Sequence, residues 1–209
     1  ELHHTPLNLG IHGNLQAPRP PPRRLPKLGE DGSENSLYSA ATPMTATATR
    51  IVCGTSGFSF AEWKGTFYPE GLATDAMLSF YGRELPVVEI NNTFYRLPSP
   101  RVLGEWAAAV PEHFRFCLKA SQRITHYARL AGAKELVDRF FFAKQALGPK
   151  AGPSLFQLPP QMKKDVGRLR AFFDDVPAGE RLVFELGSRS WFDDEVYDVL
   201  RSRGATACI

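Results

Sequence analysis

From residue 51 onward, short apolar runs alternate with helical patterns. The runs at 51–54, 87–91, 114–119, 154–158, 182–186 and 205–209 predict six strands. Most are continuous rather than alternating, as expected of parallel strands covered on both faces. Between them the apolar positions fall at helical spacing. A first helix is predicted over 73–81. A second covers 100–110, with Ser99 as N-cap, Pro100 in the first turn, Pro111 beyond the end, and Leu103, Trp106, Ala107 and Val110 on one face. A third covers 134–147, with Leu136, Val137, Phe140 and Phe141 inward and Gly148 as its stop. The fourth, 166–174, sets Leu169, Phe172 and Phe173 on one side. The fifth, 193–203, begins Asp193-Asp194-Glu195 and ends with Arg201 and Arg203, a charge order that suits the helix dipole, and Gly204 closes it.

Successive strands lie roughly 25–35 residues apart, the size of a βαβ unit. An open doubly wound sheet and a (β/α)₈ barrel both fit this α/β rhythm. No Gly-x-Gly-x-x-Gly follows the first strand, which weakens the dinucleotide-binding form. The body, 50–209, holds about 160 residues against roughly 250 for a typical barrel, and the last run stops in mid-strand. The expectation is a TIM-barrel-like fold with about six of its eight strands, truncated at the C-terminus, with an unpaired, aggregation-prone parallel edge.

Composition changes near residue 50. The segment 1–49 holds seven of the 17 Pro, including Pro20-Pro21-Pro22, and no Phe or Trp. Tyr38 is its one aromatic. Such a segment buries too little apolar surface to offset its ordering entropy and reads as a disordered tail. It has no apolar core of a signal peptide. His3, His4 and His12 lie there without a metal-ligand spacing. The first Met is Met44, just before the first strand-like run, and is the expected natural start.

Charge and cysteine count narrow the function classes. The 25 Lys+Arg against 22 Asp+Glu give +3, with no basic stripe, so a nucleic-acid partner is not expected. No stretch reaches the ~18 apolar residues of a membrane helix. Three Cys exclude a disulfide scaffold and point to a reducing, cytoplasmic setting. Cys53, Cys117 and Cys208 all fall in predicted strands and read as small buried hydrophobes rather than nucleophiles. No Cys-x-x-Cys, His-Glu-x-x-His, Gly-x-Ser-x-Gly or P-loop pattern occurs.

Parallel α/β folds bind ligands at the carboxyl ends of their strands, so polar residues there carry the chemistry. Glu89 and Asn91 share one face of the second strand, followed by Tyr95 and Arg96. Lys119 ends the third strand, with His126 shortly after. Gln157 sits in the fourth and Glu185 in the fifth, with Arg189 and Trp191 beyond it. An ionisable residue inside an apolar strand costs on the order of several kcal/mol unless paired or functional. Four strands each giving one such residue to one rim predict a small-molecule site. A buried Glu–Lys ion pair inside the barrel is the purely structural alternative. Trp63, Trp106 and Trp191 read more readily as packing than as stacking platforms.

The same segments resemble a known family. Gly54-Thr-Ser-Gly-Phe with Trp63-Lys-Gly-Thr-Phe-Tyr-Pro is similar to the N-terminal signature of the YecE-like proteins, domain-of-unknown-function family 72. Val88-Glu-Ile-Asn-Asn-Thr-Phe-Tyr-Arg-Leu-Pro resembles the family's most characteristic segment. Phe116-Cys-Leu-Lys-Ala-Ser, Ile124-Thr-His, Leu155-Phe-Gln-Leu-Pro-Pro, and Phe184-Glu with Ser190-Trp continue it in order. The resemblance implies a TIM-barrel-like fold longer than this chain. It places recurring residues on Glu89, Asn91, Tyr95, Lys119, His126, Gln157, Glu185 and Trp191. Many members carry Arg-His between the glutamate and Ser-Trp, where this chain reads Gly187-Ser188-Arg189. Arg189 would then supply the missing cation from a different backbone position. The resemblance brings no reaction with it.

Together these readings lead to an expectation. A small polar or anionic molecule binds or reacts at the rim, with Glu89, Lys119 and Glu185 in acid–base roles. Asn91, Tyr95, Arg96, His126, Gln157, Arg189 and Trp191 contact it. No metal ligand is assigned and the cofactor is unknown. A metal-dependent barrel isomerase or phosphodiesterase, with Glu89, Glu185 and His126 as ligands, is the second reading. A non-catalytic binding protein or scaffold is the third.

Overall fold

A computed structural model describes residues 51–208. The expectations for the tail 1–49 and for Met44 fall outside those residues, as does Ile209. The apolar runs form six strands: β1 (Gly54–Ser56), β2 (Val87–Ile90), β3 (Arg115–Lys119), β4 (Ala151–Leu158), β5 (Leu182–Leu186) and β6 (Thr206–Cys208). All pair in parallel, in chain order, as a curled half-barrel. This is the predicted TIM-barrel-like α/β fold, with helices α1 (Met77–Glu84), α3 (Pro100–Ala109), α4 (Lys134–Lys144), α5 (Val166–Asp175) and α6 (Asp194–Ser202) between the strands. A one-turn helix, α2 (Asn92–Tyr95), follows β2 directly.

Local signals explain the helix ends. Ser99 Oγ accepts from the Val102 N–H at 3.4 Å, and Asp165 caps α5 by accepting from the Arg168 N–H at 2.9 Å. Asp193 is not the first helical residue but the N-cap of α6, accepting from the Glu195 N–H. α4 ends earlier than its apolar pattern. At Gln145 it tightens into a 3₁₀ stretch that runs to Lys150 through Gly148, whose φ is +53°.

The core lies between sheet and helices. Val88, Ile90, Phe116, Leu118, Phe156 and Phe184 face the helical layer and are buried. Phe156 meets Phe172 of α5 at 5.2 Å and Phe184 at 5.6 Å between ring centroids. Each such side chain contributes about 2–3 kcal/mol by leaving water. Trp106 packs on Phe58 and Phe116 as its helical spacing predicts.

Two expectations are corrected. β1 begins at Gly54 rather than ending there. Ile51, Val52 and Cys53 are exposed, because the ladder with β2 starts at the Gly54–Val87 pair. Cys53 is therefore neither buried nor in a strand, while Cys117 and Cys208 are in strands and half-buried. The strands are also not covered equally on both faces. In β2, β3 and β5, buried residues toward the helices alternate with half-buried ones on the concave face. With six strands paired in an open arc, that inner face is not closed over by the described residues.

Candidate functional site

The concave face collects the polar residues. Glu89 lies between buried Val88 and Ile90, so strand alternation turns it away from the helices. The ladder sets Ser56 of β1 opposite it. Ser56 Oγ donates to Glu89 Oε1 at 2.8 Å, and Asn91 Nδ2 donates in turn to Ser56 Oγ. This Asn91–Ser56–Glu89 chain holds one oxygen of the carboxylate. Across the arc, Gln157 of β4 and Glu185 of β5 are register partners, and Gln157 Nε2 donates to Glu185 Oε1 at 2.7 Å. Each carboxylate is thus oriented by a neutral donor rather than by a cation.

Lys119 closes β3 between them in strand order. Its Nζ sits 5.3 Å from the centroid of Phe94, and among the described residues no carboxylate oxygen comes within 4.0 Å of it. The expected alternative, a buried Glu–Lys ion pair, is therefore not formed. Thr93 builds this corner. Its buried hydroxyl lies 2.7 Å from the Ile90 carbonyl and 2.6 Å from that of Lys119, tying the end of β2 to the end of β3.

His126 comes from the β3–α4 connection, in a π-helical turn, Arg123–Tyr127. π-turns are uncommon and frequent at functional sites. The chain leaves this turn through Arg129 and Leu130, both at positive φ of 50° and 68°. The ring packs edge-on against Phe94 at 5.0 Å, and Nδ1 lies 2.9 Å from Thr125 Oγ1. Burial first, then the charge of Lys119, push its pKa below the ordinary 6.5, with Glu185 opposing them. This shift favours the neutral imidazole. Cys208 is raised by burial and then by Glu185 and Glu89. Burial and then the charge of Glu89 push the Cys117 thiol up to about 12. Groups on β2, β3, β5 and β6 therefore share one electrostatic neighbourhood. Neither thiol is a ready nucleophile.

The remaining predicted residues divide. Tyr95, next to Phe94 with rings 5.0 Å apart, is 65% exposed, and Arg96 beside it is also exposed. Arg189 is exposed in a 3₁₀ turn, Arg189–Trp191, with no ion pair among the described residues. Trp191, in the same turn, is turned inward. It is fully buried, and its Nε1 donates to the Met162 carbonyl at 2.7 Å, so its indole packs in the core. Gly187 is required where it stands. A Cβ there would lie 2.3 Å from the Leu158 carbonyl oxygen, so this backbone leaves no space for a side chain at that position.

Sequence reasoning gave no site role to Ser56, Thr93, Phe94 and Thr125, although all four lie in the segments it singled out. Ser56 sits two residues after Gly54, an alternation signal for the inner face, but its partner is set by register. Two hollows lie elsewhere. One of about 170 Å³ is lined by Val52, Pro86, Val87, His113 and Arg115 at the N-terminal ends of β2 and β3. The other, about 200 Å³, lies beside Phe173, Glu180, Leu182 and Arg203. Neither is lined by Glu89 or Glu185, which belong to an open face. Among the described residues no three His, Cys, Asp or Glu side chains converge to hold a metal ion, and no helix is long and apolar enough to cross a membrane.

Residues 52–209 match the family described as "Protein of unknown function DUF72". The chain belongs to the DUF72 family. It is 35% identical over 101 residues to UPF0759 protein YecE of Escherichia coli (strain K12), covering 48% of this chain and 37% of that protein. It is 30% identical over 148 residues to UPF0759 protein YunF of Bacillus subtilis (strain 168), covering 64% of this chain and 50% of that protein. The chain thus spans half or less of the length of these relatives. A crystal structure of a DUF72 protein from Thermotoga maritima superposes with a TM-score of 0.66 at 32% identity, covering 75% of this chain and 63% of that one. One from Enterococcus faecalis gives 0.59 at 23% identity, covering 76% and 60%, and supports the fold alone.

Proposed function

We propose that this DUF72 protein binds or converts a small polar molecule at the carboxyl ends of its strands by carboxylate–lysine acid–base chemistry. One observation carries the reading. Glu89 and Glu185 are each held through one oxygen by neutral donors, while Lys119 stands on the same face without a carboxylate partner. A structural ion pair would join these charges directly, whereas on this half-exposed face, among the described residues, Lys119 forms no ion pair with either carboxylate. Here a carboxylate is poised to accept a proton, and the ammonium is poised to hold an anionic group or stabilise developing negative charge. His126, whose pKa is lowered, adds a further proton acceptor, and Asn91 and Gln157 orient the two carboxylates. The rim position is where barrel folds place their chemistry, an analogy of fold only. The free thiols of all three cysteines fit a cytoplasmic location.

The test is ligand-observed NMR with a pooled small-molecule library. It uses the wild type, Lys119→Met and Glu185→Gln, with melting temperature as the fold control. The reading expects a compound bound by the wild type and lost in both variants, with melting temperatures within a few degrees. A collapse of folding in both variants, with no compound bound by the wild type, would assign these residues to structure.

A further inference from the structure

The hydrogen bonds that hold the two carboxylates also say what they leave open. Ser56 has one hydroxyl proton, and it goes to Glu89, whose carboxylate only accepts. Ser56 Oγ must therefore accept from Asn91, so the Asn91 amide nitrogen faces inward to Ser56 and its carbonyl oxygen is left over. The same logic fixes Gln157. Only its NH₂ can donate to Glu185, so its carbonyl oxygen is left over too. Among the described residues, no donor reaches Glu89 Oε2, Asn91 Oδ1, Gln157 Oε1 or Glu185 Oε2. The face thus offers four oxygens with open acceptor capacity. Against them stands one cationic donor, Lys119.

A ligand that satisfies this face brings many donors and one anionic group. Inorganic phosphate could meet Lys119 but brings few or no donors for the four oxygens. A free amine has donors for the oxygens but leaves Lys119 without an anionic partner. A polyhydroxylated anion meets both demands, with hydroxyls on the four oxygens and its anionic group on Lys119. The exposed aromatic edge adds a third match. Tyr95 is 65% exposed and packs on Phe94, the ring that Lys119 and His126 also touch. The C–H face of a sugar is apolar and packs well against such a ring.

We infer that the site takes a polyhydroxylated anion, of the sugar-acid or sugar-phosphate class, with its hydroxyls on Glu89, Asn91, Gln157 and Glu185 and its anionic group on Lys119. This rests on the small-molecule reading above and narrows it. The experiment is titration calorimetry of the full chain with gluconate, glucose 6-phosphate and inorganic phosphate, repeated on Tyr95→Ala. Binding of gluconate or glucose 6-phosphate, none of inorganic phosphate at equal concentration, and a loss of about tenfold in Tyr95→Ala are expected. Binding by gluconate assigns the anion to a carboxylate, and by glucose 6-phosphate alone to a phosphoester. Equal binding of inorganic phosphate and glucose 6-phosphate would overturn the inference and leave a simple anion site at Lys119. Failure of both polyol anions would also overturn it, and the library screen would then decide the broader reading separately.

Discussion

At the scale of single residues, environment separates side chains that the sequence presents alike. The three cysteines all adjoin apolar runs, yet Cys53 is exposed, while burial and nearby carboxylates raise the thiols of Cys117 and Cys208. Iodoacetamide at pH 8 should therefore alkylate Cys53 first, with Cys117 and Cys208 protected until the protein unfolds. Peptide mass spectrometry reads the order, and early labelling of Cys117 would contradict the placement. Which residues matter was partly legible. Glu89, Lys119, Gln157 and Glu185 announce themselves by interrupting apolar runs, and the structure sets all four on one face. Trp191 sits at the right place in the chain but turns into the core, and no local pattern reveals which way a 3₁₀ turn points its indole. Ser56 looks like any loop serine until the β1–β2 register sets it against Glu89.

Elements were legible where a long pattern specifies them. α3 and α5 match their apolar spacing to within a residue or two at each end, and α3 also its Ser99 cap. The short pieces were not. α2 and the π-helical turn are four and five residues long, too short for a period to show, and tertiary bonds such as Thr93 to Lys119 hold that corner together. A long-range contact also finishes α3. Lys150 Nζ donates to the carbonyls of Ala107 and Val110 at 2.7 and 2.8 Å, at the helix end that lacks internal partners. Its cation also complements the dipole there. Lys150→Met should cost about 1–3 kcal/mol in urea denaturation, because two carbonyls lose charged donors. A loss under about 0.5 kcal/mol would mean that water replaces the ammonium at no cost.

At the scale of the whole molecule, the fold class followed from the spacing of strands, because consecutive βαβ units admit few arrangements. The open face did not. Continuous apolar runs predicted cover on both sides, whereas the six-stranded arc leaves its inner face half-exposed. Among the described residues β1 and β6 each pair on one side only, and exposed parallel edges recruit other strands. Sedimentation should show concentration-dependent association, while a monomer with a sharp cooperative melt at all concentrations would mean the edges are protected.

The central claim is that this arc brings Lys119 of β3 and Glu185 of β5 to bear on His126, and one titration tests it without knowledge of any substrate. His126 has a lowered pKa, so it binds fewer protons folded than unfolded between that value and 6.5. Its contribution to stability is therefore present above pH 6.5 and is lost as pH falls toward the folded value. NMR of the imidazole across pH 4 to 8 should give a midpoint below 6.5 in the wild type. The midpoint should rise in Lys119→Met, where a repelling cation is gone, and fall further in Glu185→Gln, where an attracting anion is gone. Midpoints that stay put in both folded variants would show that the three groups do not share a site, and would contradict the account.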